Sequence, residues 1–364
     1  MIIAIDCRLI WTGIGRYLNS VLPVLLEIDR NNKYIFIINE NPPNTINSKN
    51  VEYIRIKSKP FSFFEHIEIP FVLRNKKLKC YYSPLYNIPL FLTSKIVLIT
   101  SIYDLVFSRF PKQAKTLFHK IYYELFIRLS LKKSNFIIVQ SEYTRLELEK
   151  LYNYSKAIRI YPGFKPMLQN TRDPKSSLKK RFGINYDYIL YVGVNKYHKN
   201  LKTLVRAFNL LSHKSKYNKL QLVIAGPKNS FYYDIEKDIL NLRISNKVIL
   251  TDYIDDNMLA LLYSSALIYI SPSYLEGGFC YPVLEAQSFK IPVIASEIDL
   301  KELGNDSILY FNPYSINDCI EKIERLINSE SLRKQLVVKG NENIKRFSVK
   351  TCAQELLNIF NQKL

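Results

Sequence analysis

Residues 271–296 read SPSYLEGGFCYPVLEAQSFKIPVIAS, and the reading of this stretch decides the fold of the whole chain. It follows directly on LIYI (267–270), an apolar run with the length of a buried strand, and its middle, YPVLEAQSF, opens with Pro282 where the first turn of a helix needs no N–H. IPVIAS is then a second buried strand. Strand, loop, helix and strand in that order build a parallel sheet covered on both faces. Such sheets bind ligands outside the carboxyl ends of their strands, which is where this order places Gly277 and Gly278. Glycines there allow close approach of the backbone, and free N–H groups at a helix start attract phosphate. Glu276 lies before the loop and Glu285 one turn into the helix, so both carboxylates can point into one cleft. A carboxylate accepts two hydrogen bonds, which suits a sugar diol or a ribose; a loop charge and a solvated helix residue are the alternative.

The same alternation extends in both directions. IIAID, YIFIIN, VEYIRI, CYYSP, IVLITSI, FIIVQS and IRIYPG read as strands in the first half, with helical patterns such as GIGRYLNSVLPVLLEI and FHKIYYELFIRLSLKK between several of them. YILYVGV, LQLVIAG, KVILTDY, LIYISPS, IPVIAS and SILYFNP repeat the scheme in the second. The expected fold class is α/β, two doubly wound Rossmann-like domains in series. GFKPMLQNTRDPKSS has two prolines and no periodicity, so the first domain is placed at 1–164, and the linker with the start of the second at 165–185. The second domain then runs over 186–348. A closing helix over 349–364 is expected to pack back on the first.

Composition narrows the function classes. Hydrophobic residues make up 48% and charged residues 23% of the 364 residues, the mix of a chain that buries a core. Five scattered cysteines without C-x-x-C spacing indicate neither a disulfide framework nor a zinc cluster, and point to a reducing cytoplasm. No secretory signal and no run of about 18 apolar residues is present. The net charge of +20 is uneven, with 25 Lys/Arg against 12 Asp/Glu in residues 1–165. A basic first half suits phosphorylated or anionic partners, including an anionic membrane surface, although a lysine-rich composition alone inflates it. Nucleic acid is not expected, because no RNA-binding motif accompanies the aromatics. Arg55, Lys57, Lys59, Arg74, Lys76, Lys77 and Lys79 flank FSFFEHIEIPF, which reads either as a peripheral membrane contact or as core aromatics with ordinary lysines.

Further segments carry chemistry. GIGRYL places Gly13 and Gly15 at the turn after the first strand, a tight turn or a wall of the ligand cleft. DYIDDNM is acidic, but Asp255 and Asp256 precede a helix as N-cap residues do. The four histidines show no ligand spacing, so no metal site is expected.

EGGFCYPVLEAQSFKIPVIAS resembles the two-glutamate signature of the retaining glycosyltransferases of family four (glycosyl transferases group 1), with eight residues between the glutamates where the commoner form has seven. TGIGRYL, SIYDLVFSRFP, VQSEYTRLEL, IYPGF, YVGVNKYHKNLKTLVRAF, LVIAGP and FNP follow in that family's order along nearly the whole chain. The resemblance implies the GT-B fold, two facing Rossmann-like domains with an inter-domain cleft, the first binding acceptor and the second a nucleotide-sugar donor. It implies that Glu285 holds the donor ribose, that Glu276 and the backbone of Gly277, Gly278 and Phe279 hold the donor sugar, and that Lys199, six residues after Gly193, contacts the diphosphate. A fixed cation suits a leaving group that gains negative charge. His198 stands where an arginine usually precedes that lysine, and Tyr103 stands before Asp104 where the family often has histidine. A tyrosine there hydrogen-bonds but does not shuttle protons near neutrality. Arg16 and Tyr17 match the pattern as packing or acceptor-contact residues.

The expected activity is metal-independent, retaining transfer of a hexose, with a lean to mannose, from a nucleoside-diphosphate sugar to a glycan or lipid-linked acceptor in bacterial surface polysaccharide assembly. No cofactor beyond the donor substrate is implied. The protein is expected in the cytoplasm, at the inner face of the membrane where its acceptor is lipid-linked. A GT-B epimerase, or a binding module that has lost activity, is the alternative.

Overall fold

The computed structural model describes residues 1–11, 13–41, 46, 48–93, 95–111, 116–167 and 174–362. The chain divides into two compact units, Met1–Lys165 with Phe347–Leu364, and Pro166–Arg346. Part of the proline-containing segment read as a linker, 168–173, lies outside the described residues.

The first unit contains β1 (Ile2–Asp6), α1 (Gly13–Ile28), β2 (Lys33–Ile38), β3 (Val51–Arg55), α2 (Glu65–Leu73), β4 (Leu78–Ser83), β5 (Val97–Ile102), α3 (Val106–Arg109), α4 (Leu117–Lys133), β6 (Phe136–Val139), α5 (Glu142–Tyr152) and β7 (Ile158–Arg159). The second contains α6 (Pro174–Phe182), β8 (Tyr188–Val192), α7 (Leu201–Ser212), β9 (Gln221–Ala225), α8 (Ser230–Asn241), β10 (Val248–Leu250), α9 (Asp256–Ser265), β11 (Ile268–Ser271), α10 (Tyr281–Ser288), β12 (Val293–Ser296), α11 (Lys301–Gly304), β13 (Ile308–Phe311), α12 (Ile316–Asn328) and α13 (Glu330–Ile344). The chain then returns to the first unit as α14 (Val349–Phe360).

Seven strands form the first sheet in the order β3-β2-β1-β4-β5-β6-β7, and six form the second in the order β10-β9-β8-β11-β12-β13. Neighbouring strands pair in parallel throughout, as Ile3 with Tyr34 or Ile270 with Ile294. Continuous apolar strands are what this requires, because each sheet is covered on both faces. On one face of the first sheet Ile3, Ile5, Phe36 and Tyr82 meet Leu18, Leu22 and Leu25 of α1 and Leu356 and Phe360 of α14. On the other, Ala4, Ile35, Ile37 and Tyr81 meet Ile69 and Leu73 of α2. Successive residues of β1 thus serve opposite cores, the period of two that a strand imposes. In the second unit Leu204, Phe208 and Leu211 of α7 and Ile320 and Ile323 of α12 pack on Ile189, Leu222, Ile224 and Ile270.

In each sheet the strand order changes direction once, between β1 and β4 in the first and between β8 and β11 in the second. Connections leave such a pair of strands toward opposite faces, so a crevice forms beyond their carboxyl ends.

Candidate functional site

Two loops meet at the crevice of the second sheet. The first leaves β8 through Gly193 and ends in a single tight turn over Tyr197–Lys199, closed by Asn200 in the left-handed region with φ 55°. The second leaves β11 and runs over 272–280 to α10, with Pro282 in the first turn of that helix. Asn200 fastens them together: its buried amide donates to the carbonyls of Pro272 and Pro313, both at 2.9 Å. The Tyr274 N–H donates to the His198 carbonyl at 2.7 Å.

This stitching brings Lys199 Nζ to 2.5 Å from Glu276 Oε2, with side-chain exposures of 20% and 6%. The hydroxyl of Ser273 donates to the other oxygen of Glu276, with Ser271 further off at 3.4 Å. Burial pushes the Glu276 carboxyl up, but the Lys199 ammonium and these bonds outweigh it and hold the group below its ordinary range. Glu276 is therefore an anion at neutral pH. His198 is its opposite: burial, with Lys199 adding to it, lowers the imidazole to about 3, so it is neutral. A neutral ring in place of the expected arginine leaves the ammonium of Lys199 as the cation of this turn.

Gly277 and Gly278 have φ values of 78° and 79°, a left-handed pair that L side chains rarely adopt. Their conformation turns the N–H groups of Glu276, Gly277 and Gly278 toward one point, occupied by Asp299 Oδ2 at 2.5, 2.7 and 3.2 Å. Asp299, in the loop after β12, is 3% exposed. Burial and the charge of Glu276 push its carboxyl up to about 6, against the pull of the three N–H groups. Sequence reasoning missed this residue: in SEIDL it reads as an ordinary loop charge, and only the fold carries it to the glycine loop.

Glu285 stands on α10, is 2% exposed, and its Oε2 accepts a 2.8 Å bond from the buried hydroxyl of Tyr263 on α9. The two glutamates of the signature thus engage different partners, Lys199 and Tyr263. The Phe279 ring meets Tyr281 edge-on at 5.2 Å. The Gly193 N–H continues the ladder to Ala225 at 2.9 Å.

The first-unit residues fall into two groups. Gly15 is a close-packing glycine, since a Cβ there would lie 1.8 Å from the Ile10 carbonyl oxygen, whereas Gly13 opens α1 with space around it. Tyr17 is 3% exposed, with its hydroxyl 3.3 Å from that of Tyr82 and its ring edge-on to Tyr103 at 6.0 Å. Of the two readings of Tyr17, this favours packing over acceptor contact. Arg16 is half-buried on the same helix. Tyr103 leans on the same core, and Asp104 accepts from the Val106 N–H at 2.9 Å, opening α3. Among the aromatics of FSFFEHIEIPF, Phe63 and Phe64 are 66% and 71% exposed and outside the core. Leu117, Phe118, Ile121 and Leu125 of α4 are exposed too, and α4 adjoins α2 through Phe126 stacked on His66 at 4.8 Å.

In DYIDDNM, Asp255 caps α9 by accepting from the Met258 N–H at 2.8 Å. Among the described residues no group of three or more His, Cys, Asp or Glu could hold a metal ion.

Two doubly wound parallel sheets, the second with a lysine–glutamate pair and a glycine loop at its reversal point, are the GT-B architecture of the glycosyltransferases. Residues 174–343, most of the second unit, match the family model described as Glycosyl transferases group 1. The chain is similar to O-antigen chain mannosyltransferase B of Escherichia coli, 26% identical over 66% of this chain and 64% of that one. The match thus spans just under two thirds of that relative. Among solved structures, sucrose-phosphate synthase from Thermosynechococcus elongatus has a TM-score of 0.81 at 17% identity, over 100% of this chain and 98% of that one. HepE of Anabaena, solved in complex with UDP-glucose, has a TM-score of 0.75 at 13% identity, over 99% of both chains.

Proposed function

We propose that the protein is a retaining, metal-independent hexosyltransferase that moves a sugar, with a lean to mannose, from a nucleoside-diphosphate donor to a glycan or lipid-linked acceptor in bacterial surface polysaccharide assembly. The observation that carries this reading is the Lys199–Glu276 pair beside the Gly277–Gly278 loop, at the reversal point of a sheet in a group 1 domain. Cleavage of such a donor leaves a diphosphate that gains negative charge, and a fixed ammonium stabilises that charge most in the transition state. In this reading Lys199 meets the diphosphate, Glu276 and the Phe279 end of the loop hold the sugar, the Gly277 and Gly278 N–H groups being taken by Asp299, and Glu285 holds the ribose. The leaving phosphate itself takes the proton of the acceptor hydroxyl, so the chain supplies position and field, with no side-chain base. The name of the O-antigen relative supports mannose and polysaccharide assembly, and the HepE complex supports a nucleotide sugar.

The test is titration of the purified chain with GDP, UDP and their hexose conjugates, with and without EDTA. At least one conjugate should bind and be turned over in EDTA, giving an α-linked product from an α-linked donor. Loss of activity in EDTA, restored by magnesium or manganese, overturns metal independence, and an inverted product overturns retention.

For the membrane, the proposal is peripheral contact at the cytoplasmic face through the first unit. No helix among the described residues is long and apolar enough to cross a bilayer. Exposed apolar side chains on α2 and α4, with basic residues such as Arg74 nearby, suit an anionic surface, each well-placed charge contributing about 1 kcal/mol. Flotation with phosphatidylglycerol vesicles should be strong at low salt and fall as salt rises. Absence of binding at low salt overturns this part and favours a soluble acceptor.

A further inference from the structure

The doubled glycine makes the loop after β11 one residue longer than the commoner form of the signature. Two successive left-handed residues, Gly277 and Gly278, aim three neighbouring N–H groups at a single point. A concavity of amides like this one draws in an anion. Here the anion is the chain's own, Asp299 Oδ2, so no substrate group stands at that point while the carboxylate holds it.

Asp299 reaches the loop from a firm base. It stands three residues beyond the end of β12, a strand hydrogen-bonded on both sides, to β11 and to β13. The next residue, Leu300, is fully buried, and its carbonyl accepts from the Tyr310 hydroxyl at 3.2 Å. The other carboxylate oxygen, Oδ1, is buried and has no hydrogen-bond partner among the described residues, so Asp299 grips the loop alone. Folding does not favour the contact at neutral pH. Burial and the charge of Glu276 push the Asp299 carboxyl up to about 6, and a second anion is kept beside Glu276 where a neutral side chain is easier to bury. The residues at the two ends of the gripped segment are Glu276, whose carboxylate meets Lys199 at 2.5 Å, and Phe279.

We propose that Asp299 is a positioning residue for the donor sugar: by holding the three amides it fixes where Glu276 and Phe279 stand, without touching the donor itself. The inference rests on the reading of this crevice as a donor site, and it assigns the geometry of the loop to a side chain outside the two-glutamate signature. The ribose and diphosphate contacts of that reading, Glu285 and Lys199, lie on α10 and on the turn after β8. Loss of Asp299 therefore acts on the sugar far more than on the nucleotide.

The test compares the wild type with Asp299→Ala, which removes the acceptor, and Asp299→Asn, which keeps an oxygen at nearly the same place. Each is followed by hydrogen exchange of the peptide covering 272–280, by release of nucleoside diphosphate from GDP-mannose and UDP-glucose, and by titration with GDP and UDP. In Asp299→Ala the loop amides should exchange at least tenfold faster. Donor kcat/KM should fall at least tenfold, toward the ~10²-fold that a displacement of about 1 Å costs, while GDP or UDP affinity stays within about twofold. Asp299→Asn should recover most of both losses. Gly278→Ala disturbs the same contact from the loop side, whether or not Asp299→Ala folds, and should give the same split between turnover and nucleotide affinity. Wild-type exchange or wild-type turnover in Asp299→Ala overturns the proposal. So does a parallel loss of turnover and nucleotide affinity with no recovery in Asp299→Asn, the pattern of a purely structural residue. A wild type that neither binds GDP or UDP nor turns over either conjugate sinks the donor reading; an active wild type with an indifferent Asp299→Ala sinks this one alone.

Discussion

Lys199, Glu276 and Asp299 place one cation and two carboxylates around a loop of three N–H groups, and the two acids respond to pH in opposite senses. Glu276 is held below its ordinary value, so its contribution to stability is present above pH 4.5 and is lost as pH falls through its depressed folded value. Asp299 is raised from 3.8 to about 6, so its contribution is present below 3.8 and is lost as pH rises toward 6. That difference is worth about 3 kcal/mol. Between pH 4 and 6 the wild type should therefore lose about 2 kcal/mol of this relative to Asp299→Asn in urea unfolding, and carbon NMR should place the Asp299 midpoint near 6. Equal slopes in the two proteins would show that Asp299 does not titrate there. Lys199→Ala should lower turnover by about 10²–10³-fold, the usual effect of deleting one preorganised transition-state contact. It should also destabilise the fold by leaving Glu276 buried without its cation. Lys199→Arg restores the charge, so stability should recover more than turnover; equal recovery would give Lys199 a structural role alone. The choice of Glu276, Glu285 and Lys199 came from the resemblance to a family signature, which fixes positions along a chain. Asp299 was not readable, because what gives it a role is that β12 lies beside β11, a fact of topology that no local pattern contains.

Among the helices, α9 makes the sharpest test of how an acidic run should be read. Asp255 accepts from Met258 as an N-cap does, so Asp255→Ala should cost about 1 kcal/mol in thermal or urea unfolding and leave activity in EDTA unchanged. A larger loss of activity than of stability would return the segment to consideration as a site. The thirteen strands among the described residues follow from the sequence, most of them because an apolar run buried on two faces has few other uses. The helix faces do not follow so readily. FHKIYYELFIRLSLKK reads as a helix between two strands, but α4 buries Tyr123, Phe126, Ile127 and Ser130 and leaves Phe118, Ile121 and Leu125 outside. Apolar residues stand all around this helix, so periodicity could not choose its inner side. The direction of the aromatics before α2 was equally open in the sequence, and packing turned Phe63 and Phe64 outward.

The two units are each closed by helices on both sides of a sheet, but they differ in how the chain completes them. The second is one continuous stretch, Pro166–Arg346, while the first needs Phe347–Leu364 as well. Ala353, Leu356, Leu357 and Phe360 of α14 cover the same core as Leu18, Leu22 and Leu25 of α1. Leu356→Ala should therefore cost about 2–5 kcal/mol in the transition of the first unit and leave that of the second in place, as followed by hydrogen exchange. A loss shared evenly by both units would contradict the division. This return also has a consequence on the ribosome. Translation proceeds at about 5–20 residues per second, so the apolar side of α1 waits uncovered for some ten to forty seconds while the whole intervening unit is made. A nascent chain stalled at Arg346 should be cut by protease within the first unit and spared within the second. Release of the full-length polypeptide should close that window, and the interval between is when a holdase chaperone has something to grip.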